Sequence, residues 1–272
     1  MSALRRWAII PAIFLSTASA LQARKISNDE FTPPMREAAL QDPKAFTIDE
    51  NSIRIERLDN AAGLPQKGAT PPAAGAGSAG LDPIVIIDRI LNLAEKIWSV
   101  IENNKPAVDV QTQYASALPQ GISHWSQLEG WKPPQGTIYA FSAKNSYGAT
   151  AIKARYQVLR TCAGSYKGKG KYLTAVTIQP LEIDVAWGYK FSLAVEIPDS
   201  SVVNVGTSED PVAGMTPIIK WTIATSIKES RGSALYYLQG DGLLQEVGGP
   251  FQRPYRRDVA KALDNALKFR WE

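Results

Sequence analysis

The sequence contains one histidine, His124, and one cysteine, Cys162, and these are the side chains that most often serve as metal ligands and nucleophiles. A site with several histidines, or a mechanism that needs two, is therefore impossible. The two residues can still pair as nucleophile and base. Cys162, however, shares a face with Tyr156 and Val158 in an alternating apolar segment, and this pattern predicts a buried thiol of low reactivity. We expect no metal ion, no cofactor and no catalytic residue among them.

Carboxylates are the remaining route to hydrolysis, because two of them can act as general acid and base. Four residues are candidates: Glu182, Asp184, Glu196 and Asp241. Asp184 and Glu196 occupy polar positions of an alternating strand, where charged side chains are expected on the solvent face. The sequence has no glycine-rich phosphate loop, nucleophile elbow or zincin motif. We therefore predict a protein that is not an enzyme, with a carboxylate-dependent envelope hydrolase as an alternative.

The segment from Pro119 to Pro134 is the most unusual connection between predicted strands, because it holds His124, Trp125 and Trp131. Tryptophans offer large rigid faces with one polar group, so a pair at the end of a β-sandwich can stack on a sugar or hold a peptide. The alternative is that both rings fill the end of the core. These three residues are our first candidates for ligand or partner binding.

A second candidate is a predicted hairpin tip between Tyr166 and Tyr172, which carries Lys167, Lys169 and Lys171 among glycines. Three ammonium groups on such a turn can contact anionic lipid headgroups, an acidic cell-wall polymer or the acidic surface of a partner. The alternative is a solvated turn that opposes aggregation.

The elements that must position these side chains are predicted to be mostly β-strands. Between residues 183 and 197 every odd position is large and apolar, whereas every even position is small or polar. This period places successive side chains on opposite faces of a sheet, and one apolar face is typical of antiparallel sheets. Residues 219–227 repeat the pattern and are expected to share its buried face. We predict a mainly β fold, an antiparallel β-sandwich or open barrel, with 183–197 as one long strand.

Two helices are expected to pack on this β domain. Asp82 and Pro83 read as a helix start, and apolar residues then recur at spacings of three and four from Ile84 to Ile101. This N-terminal helix, residues 83–104, packs either inside the domain or against a second copy, so self-association through residues 84–101 is an alternative. Residues 255–271 carry apolar side chains on one helical face and predict a C-terminal helix.

The N-terminal residues predict export. Arg5 and Arg6 precede an apolar run, and Ala18-Ser19-Ala20 follows it, which is the layout of a signal peptide cleaved near Ala20. Residues 21–82 show no sustained period and end in a Pro/Gly/Ala tract, so we expect a disordered tether. An alternative is that residues 46–58 pair as a strand on a sheet edge. Residues 83–272 then form a single β-rich domain with terminal helices.

Together these features predict an exported protein, periplasmic or secreted, that binds a partner or has a structural or assembly role in the cell envelope. The expected partners are another envelope protein, a cell-wall polymer or an anionic surface. Nucleic acid is not expected, because 30 basic and 26 acidic residues leave a formal net charge of only +4. No transmembrane helix is expected either. The alternative is a membrane-inserting oligomeric β protein, because a strand over 183–197 exceeds the roughly ten residues that a membrane strand needs.

Overall fold

The computed structural model describes residues 30–58, 84–93, 97–107 and 114–251, and these residues form one short helix and two β-sheets. Two 3-10 turns lie at Trp125–Gln127 and Asp199–Ser201. The elements in chain order are α1 (Pro33–Gln41), β1 (Ile48–Leu58), β2 (Ile86–Leu93), β3 (Ile97–Glu102), β4 (Lys105–Pro106), β5 (Ala115–Gln120), β6 (Gln135–Asn145), β7 (Thr150–Tyr166), β8 (Lys169–Val185), β9 (Lys190–Glu196), β10 (Val203–Asn204), β11 (Ala213–Met215), β12 (Ile218–Ala224), β13 (Glu229–Gln239) and β14 (Leu244–Gly248).

Both sheets are antiparallel, as the alternating pattern predicts. The first has six strands in the order β1-β6-β7-β8-β5-β2. The second has eight and runs β10-β11-β13-β12-β9-β3-β4, with β14 paired to β13. One sheet curls into a half-barrel. The prediction of a mainly β, antiparallel fold is therefore confirmed.

The core lies between the two sheets and is rich in aromatic rings. Phe141 of β6 packs against Phe191 of β9 and Trp221 of β12, with ring centroids 5.0 and 5.5 Å apart. All three side chains are buried. Strand alternation explains this arrangement, because every second residue of a strand points to the same face. The rings that interlock across the two layers join them into one core.

A tyrosine cluster also crosses the core. Tyr139 stacks on Tyr156 with centroids 5.8 Å apart and meets Tyr236 edge-on at 4.9 Å. The hydroxyls of Tyr156 and Tyr236 share a hydrogen bond of 2.7 Å. Burial raises the pKa values of Tyr156 and Tyr236 well above the ordinary value of a tyrosine, so both hydroxyls stay protonated in the folded protein.

Residues 30–58 are part of the folded domain, and here the structure differs from the tether that we expected over 21–82. Strand β1 pairs with β6 along the edge of the first sheet, with Ile53 and Ile55 buried. Phe31 and Phe46 are buried as well. The strand that the alternation of residues 46–58 allowed is therefore present. Residues 21–29 and 59–82, like the predicted signal peptide at 1–20, lie outside the described residues.

The helix predicted for residues 83–104 is wrong, because the described part of this segment forms strands β2 and β3. Strand β2 lies at the edge of the first sheet and β3 pairs with β9 in the second. The segment is apolar at so many positions that helical spacing appears by chance, whereas its β-branched residues favour a strand. The predicted C-terminal helix, 255–271, lies outside the described residues.

The single strand predicted for residues 183–197 is also wrong. Strand β8 ends at Val185, a turn follows, and β9 starts at Lys190 in the other sheet. Gly188 has φ +84° in this turn, a conformation that favours glycine. The register of β9 and β12 pairs Val195 with Ile219 and Leu193 with Trp221, which confirms the predicted shared face of these two segments.

The first prediction concerns the hydrogen bond between the two sheets. Replacing Tyr236 with Phe leaves the Tyr156 hydroxyl buried without this partner, which costs about 1–3 kcal/mol of unfolding free energy. The double variant Y156F/Y236F removes both hydroxyls, so we expect it to be less destabilised than the sum of the single variants. Urea unfolding of the four proteins checks this, and strict additivity would contradict it.

The second prediction is a loss of stability at alkaline pH. The unfolded chain releases its tyrosine protons near pH 10, while burial holds them on Tyr156 and Tyr236 in the folded state. The unfolded state then binds fewer protons, so the free energy of unfolding falls as pH rises above about 10. Urea unfolding from about pH 9 to about pH 11 measures the slope. The Y156F/Y236F protein should show a shallower slope, and an unchanged one would assign the effect to other groups.

Candidate functional site

Residues 119–134, the last two residues of β5 and the loop that leads to β6, are here called the tryptophan loop. Its 3-10 turn is held by His124, whose Nδ1 accepts a hydrogen bond from the Ser126 backbone N–H at 3.2 Å. The His124 backbone N–H in turn donates to Oε1 of Gln127 at 2.9 Å. His124 and Trp125 also pack together, with ring centroids 5.4 Å apart. The only histidine of the chain therefore supports a turn.

The two tryptophans of this loop pack onto the β-sheets. Both are half-buried and contact the main core. The indole N–H of Trp131 donates to the Trp125 carbonyl at 3.1 Å. Its ring lies directly over Gly164 of β7, where a Cβ atom would be only 2.3 Å from the indole carbons. The close contact with Gly164 ties the tryptophan loop to the strand that leads into the lysine-bearing turn.

That turn is the lysine hairpin, defined as residues 163–172. Its two central residues, Lys167 and Gly168, have φ values of +50° and +73°, which is typical of a two-residue hairpin turn. The side chains of Lys167, Lys169 and Lys171 are all exposed. The Lys167 ammonium lies 5.3 Å from the centroid of the Tyr166 ring.

The tryptophan loop braces the lysine hairpin on one side. Glu129 and Ser165 exchange two backbone hydrogen bonds of 3.0 and 2.8 Å. The Lys132 N–H donates to the Cys162 carbonyl at 3.0 Å. At the tip, Oε1 of Glu129 accepts from the backbone N–H of Gly168 at 3.1 Å. The structure thus brings together the two candidate sites that the sequence left separate.

Loops of the second sheet brace the hairpin on the other side. The Lys171 N–H donates to the Pro211 carbonyl at 2.8 Å, and the Gly170 N–H donates to Oδ1 of Asp210 at 3.1 Å. Gly240 accepts a hydrogen bond from the Ala163 N–H at 2.8 Å. A Cβ atom at Gly240 would lie 1.9 Å from the Lys171 carbonyl oxygen, so only glycine allows this approach.

The electrostatics of the hairpin follow from these contacts. Glu129 and Asp210, its acidic neighbours, each place a carboxylate oxygen on a backbone N–H. In the part of the chain that the structure describes, no ion pair joins Lys167, Lys169 or Lys171 to a carboxylate. A rigid tip therefore presents three positive charges to solvent.

The four candidate carboxylates do not converge on a common site. Glu182 of the first sheet pairs with Arg155, and Glu196 of the second sheet pairs with Lys220. Asp184 is exposed on β8. Asp241 lies in the turn after β13, where its Oδ1 accepts from the Leu243 N–H at 3.0 Å.

Two buried groups lie behind the lysine hairpin, and the sequence pattern predicted only one of them. Cys162 is buried, as predicted, and burial raises the pKa of its thiol. Arg160, two residues before it, is only 8% exposed. Tyr156, Val158 and Cys162 are buried at every second position of the strand, and position 160 belongs to the same series. The alternation therefore indicated that Arg160 is buried. This burial was not predicted, because arginine is seldom found inside a protein.

No protein-family model matches the chain, and comparisons with curated proteins and with solved structures found no similar protein. Within the described ranges, no helix has the length and the apolar composition needed to cross a bilayer.

The third prediction tests the contact between Trp131 and Gly164. Replacing Gly164 with Ala forces the indole ring to move, and overpacking of this kind costs about 1–3 kcal/mol. Gly248→Ala is the control, because a Cβ there meets Leu235 at an ordinary 3.6 Å. Urea unfolding of both variants measures the difference. Equal stability of the two variants would contradict a brace at Trp131.

Proposed function

We propose that this protein is an exported binding protein of the cell envelope, without enzymatic activity, that binds a negatively charged partner through the lysine hairpin. The observation that carries the proposal is that both sheets brace the hairpin, while no carboxylate of the described residues forms an ion pair with its three ammonium groups. The partner class follows from the charge: an acidic envelope protein, a cell-wall polymer or an anionic lipid surface.

The bracing matters because it lowers the entropic cost of binding. A lysine turn that only improves solubility needs no fixed position, since surface charges act equally well on a mobile loop. A binding element gains affinity when its loops are ordered before the partner arrives. Backbone hydrogen bonds hold the two arms of the hairpin in that way: Glu129 and Ser165 exchange two, and the Pro211 carbonyl accepts one from the Lys171 N–H. We therefore take the hairpin, and not the tryptophan faces, as the contact surface.

The proposal that the protein is exported rests on the sequence of residues 1–20. A basic start, a short apolar run and Ala18-Ser19-Ala20 support a cleaved signal peptide and a periplasmic or secreted location. The small number of chemically reactive side chains supports a binding role rather than catalysis.

Self-association through residues 84–101 is a further interaction that the sequence suggested, and the edge strand β2 gives it little support. The register of β2 and β5 shifts between Ile86 and Ile90, so the strand bulges there. Asp88 and Arg89 are exposed in this bulge. Bulges and charges on an edge strand oppose pairing between sheet edges.

A membrane-inserting β protein and a carboxylate-dependent hydrolase have no specific support among the described residues. The first was suggested by one long strand over 183–197, and this segment is divided by a turn at Gly188. The second needs two carboxylates close together, whereas Glu182 and Glu196 lie in different sheets and each pairs with its own cation. A binding protein remains the function that the structure supports best.

The fourth prediction tests the hairpin directly. Replacing Lys167, Lys169 and Lys171 with Gln removes three charges, each worth about 1 kcal/mol at an anionic surface. We expect binding to phosphatidylglycerol vesicles and to poly-glutamate at low salt to weaken by at least about tenfold. Co-sedimentation and fluorescence titration measure the loss, with phosphatidylcholine vesicles as the neutral reference.

The matched control is K105Q/K144Q/K153Q, which makes the same change in net charge at exposed positions of β4, β6 and β7. This control should bind almost as the wild type does. Equal losses of binding in the two triple variants would show that binding depends only on the net charge of the protein, which would contradict the proposal. A wild type that binds neither probe at low salt would refute it as well.

A further inference from the structure

We propose a second binding site in this protein, in which Arg160 receives an oxyanion, a carboxylate or phosphate group of a small ligand, at the end of the core beneath the turn that joins β13 and β14. The inference does not rest on the function proposed for the lysine hairpin, because Arg160 is buried while the three lysines are exposed. The two sites are tested with different variants.

The protein itself offers Arg160 only long hydrogen bonds to oxygen. Its Nη1 donates to the Thr137 hydroxyl at 3.3 Å and its Nη2 to the Gly242 carbonyl at 3.4 Å. Both distances are long for hydrogen bonds of a charged donor, which are usually about 2.7–2.9 Å. Its Nε is buried and has no hydrogen-bond partner among the described residues.

Burial of Arg160 costs free energy. A buried cation loses its hydration, and a carboxylate with good geometry normally repays that loss. In the described part of the chain no carboxylate forms an ion pair with Arg160. Its close neighbours are the Thr137 hydroxyl, the Cys162 thiol, with which it shares a side-chain hydrogen bond, and the Tyr139 phenol. Burial raises the pKa of the thiol and of the phenol, so both groups stay neutral. The site therefore lacks one negative charge.

Other charged residues lie around Arg160. The positive charge of Arg57 acts on Arg160, and the positive charge of Lys132 acts on the adjacent thiol of Cys162. Asp241 is the acidic residue that also acts on this thiol, and one of its oxygens is already used by the Leu243 N–H. Glu246 is a second acid in this region, because its carboxylate acts on Tyr139, which in turn acts on Arg160. Among the described residues, neither Asp241 nor Glu246 forms an ion pair with Arg160.

The turn around Gly242 forms one boundary of the site. Gly242 lies over Arg160 with φ +110°, and a Cβ atom built there would meet only Oε1 of Gln135, at 3.9 Å. The turn is therefore open on the side of Gly242 to which a Cβ would project. A guanidinium presents a planar set of N–H donors that matches two oxygens of a carboxylate or phosphate. The free Nε and the two weak Nη contacts leave these donors available to such a group.

The test is thermal unfolding of the full chain with inorganic phosphate or acetate, against chloride at equal ionic strength. We expect Tm to rise with one of the two oxyanions and to saturate, as binding to the folded state requires. A rise in Tm with phosphate would indicate a ligand that carries a phosphate group, and a rise with acetate would indicate one that carries a carboxylate. Isothermal titration with the effective anion should give a single site.

Arg160→Met removes the charge and keeps an apolar side chain of similar length. This variant should lose the anion response and should be at least as stable as the wild type in chloride, because it no longer buries an unpaired cation. Arg155→Met is the matched control on the same strand, since Arg155 is partly exposed and paired with Glu182. It should respond to the anion as the wild type does.

Two results would overturn the proposal. An equal anion response in the Arg160→Met protein would show a general salt effect on the folded state. No response in the wild type, together with a clear loss of stability in Arg160→Met, would show that the chain itself compensates the charge of Arg160.

Discussion

The apolar face that the two sheets share is the interaction on which the rest of this structure depends. Phe141 of the first sheet lies against Phe191 and Trp221 of the second, and the tyrosine hydroxyls meet across the same interface. Each sheet alone would expose this face to water, so neither is stable without the other. The interlocked rings also determine how the sheets are positioned, because close-packed side chains leave little room for sliding.

The geometry of the lysine hairpin follows from that positioning. One arm is held by the tryptophan loop of the first sheet and the other by the 210–212 segment that leads into β11 of the second. If the sheets shifted against each other, one of these sets of hydrogen bonds would be lost. The rigidity of the tip is therefore a property of the whole sandwich, even though its charges come from one short stretch of the chain.

The same end of the molecule uses positive charge in two different ways. The exposed lysines keep their hydration, so they cost the fold little and remain available for a partner. Arg160 lies behind them and is shielded from solvent. Its guanidinium makes long contacts with Thr137 and Gly242 and contacts the neutral thiol of Cys162. A solvated charge needs no counter-charge, whereas a buried one does. This difference distinguishes the partner surface that we propose for the lysine hairpin from the site for a single anionic group that we propose at Arg160.

The sequence by itself determined the class of fold and which faces are buried, because alternation of apolar residues records burial directly: Cys162, Val195 and Ile219 are all inside, as predicted. It also indicated the lysine turn. Only the tertiary structure decided the partners of these faces. Residues 84–101 are strands where the structure describes them, 183–197 bends between two sheets, and Ile55 completes a sheet edge. The hydrogen bonds that brace the lysine hairpin could not be predicted from the sequence either. The physical reason is that local patterns report whether a side chain is buried, whereas strand pairing, loop contacts and unpaired charges depend on residues far apart in the chain.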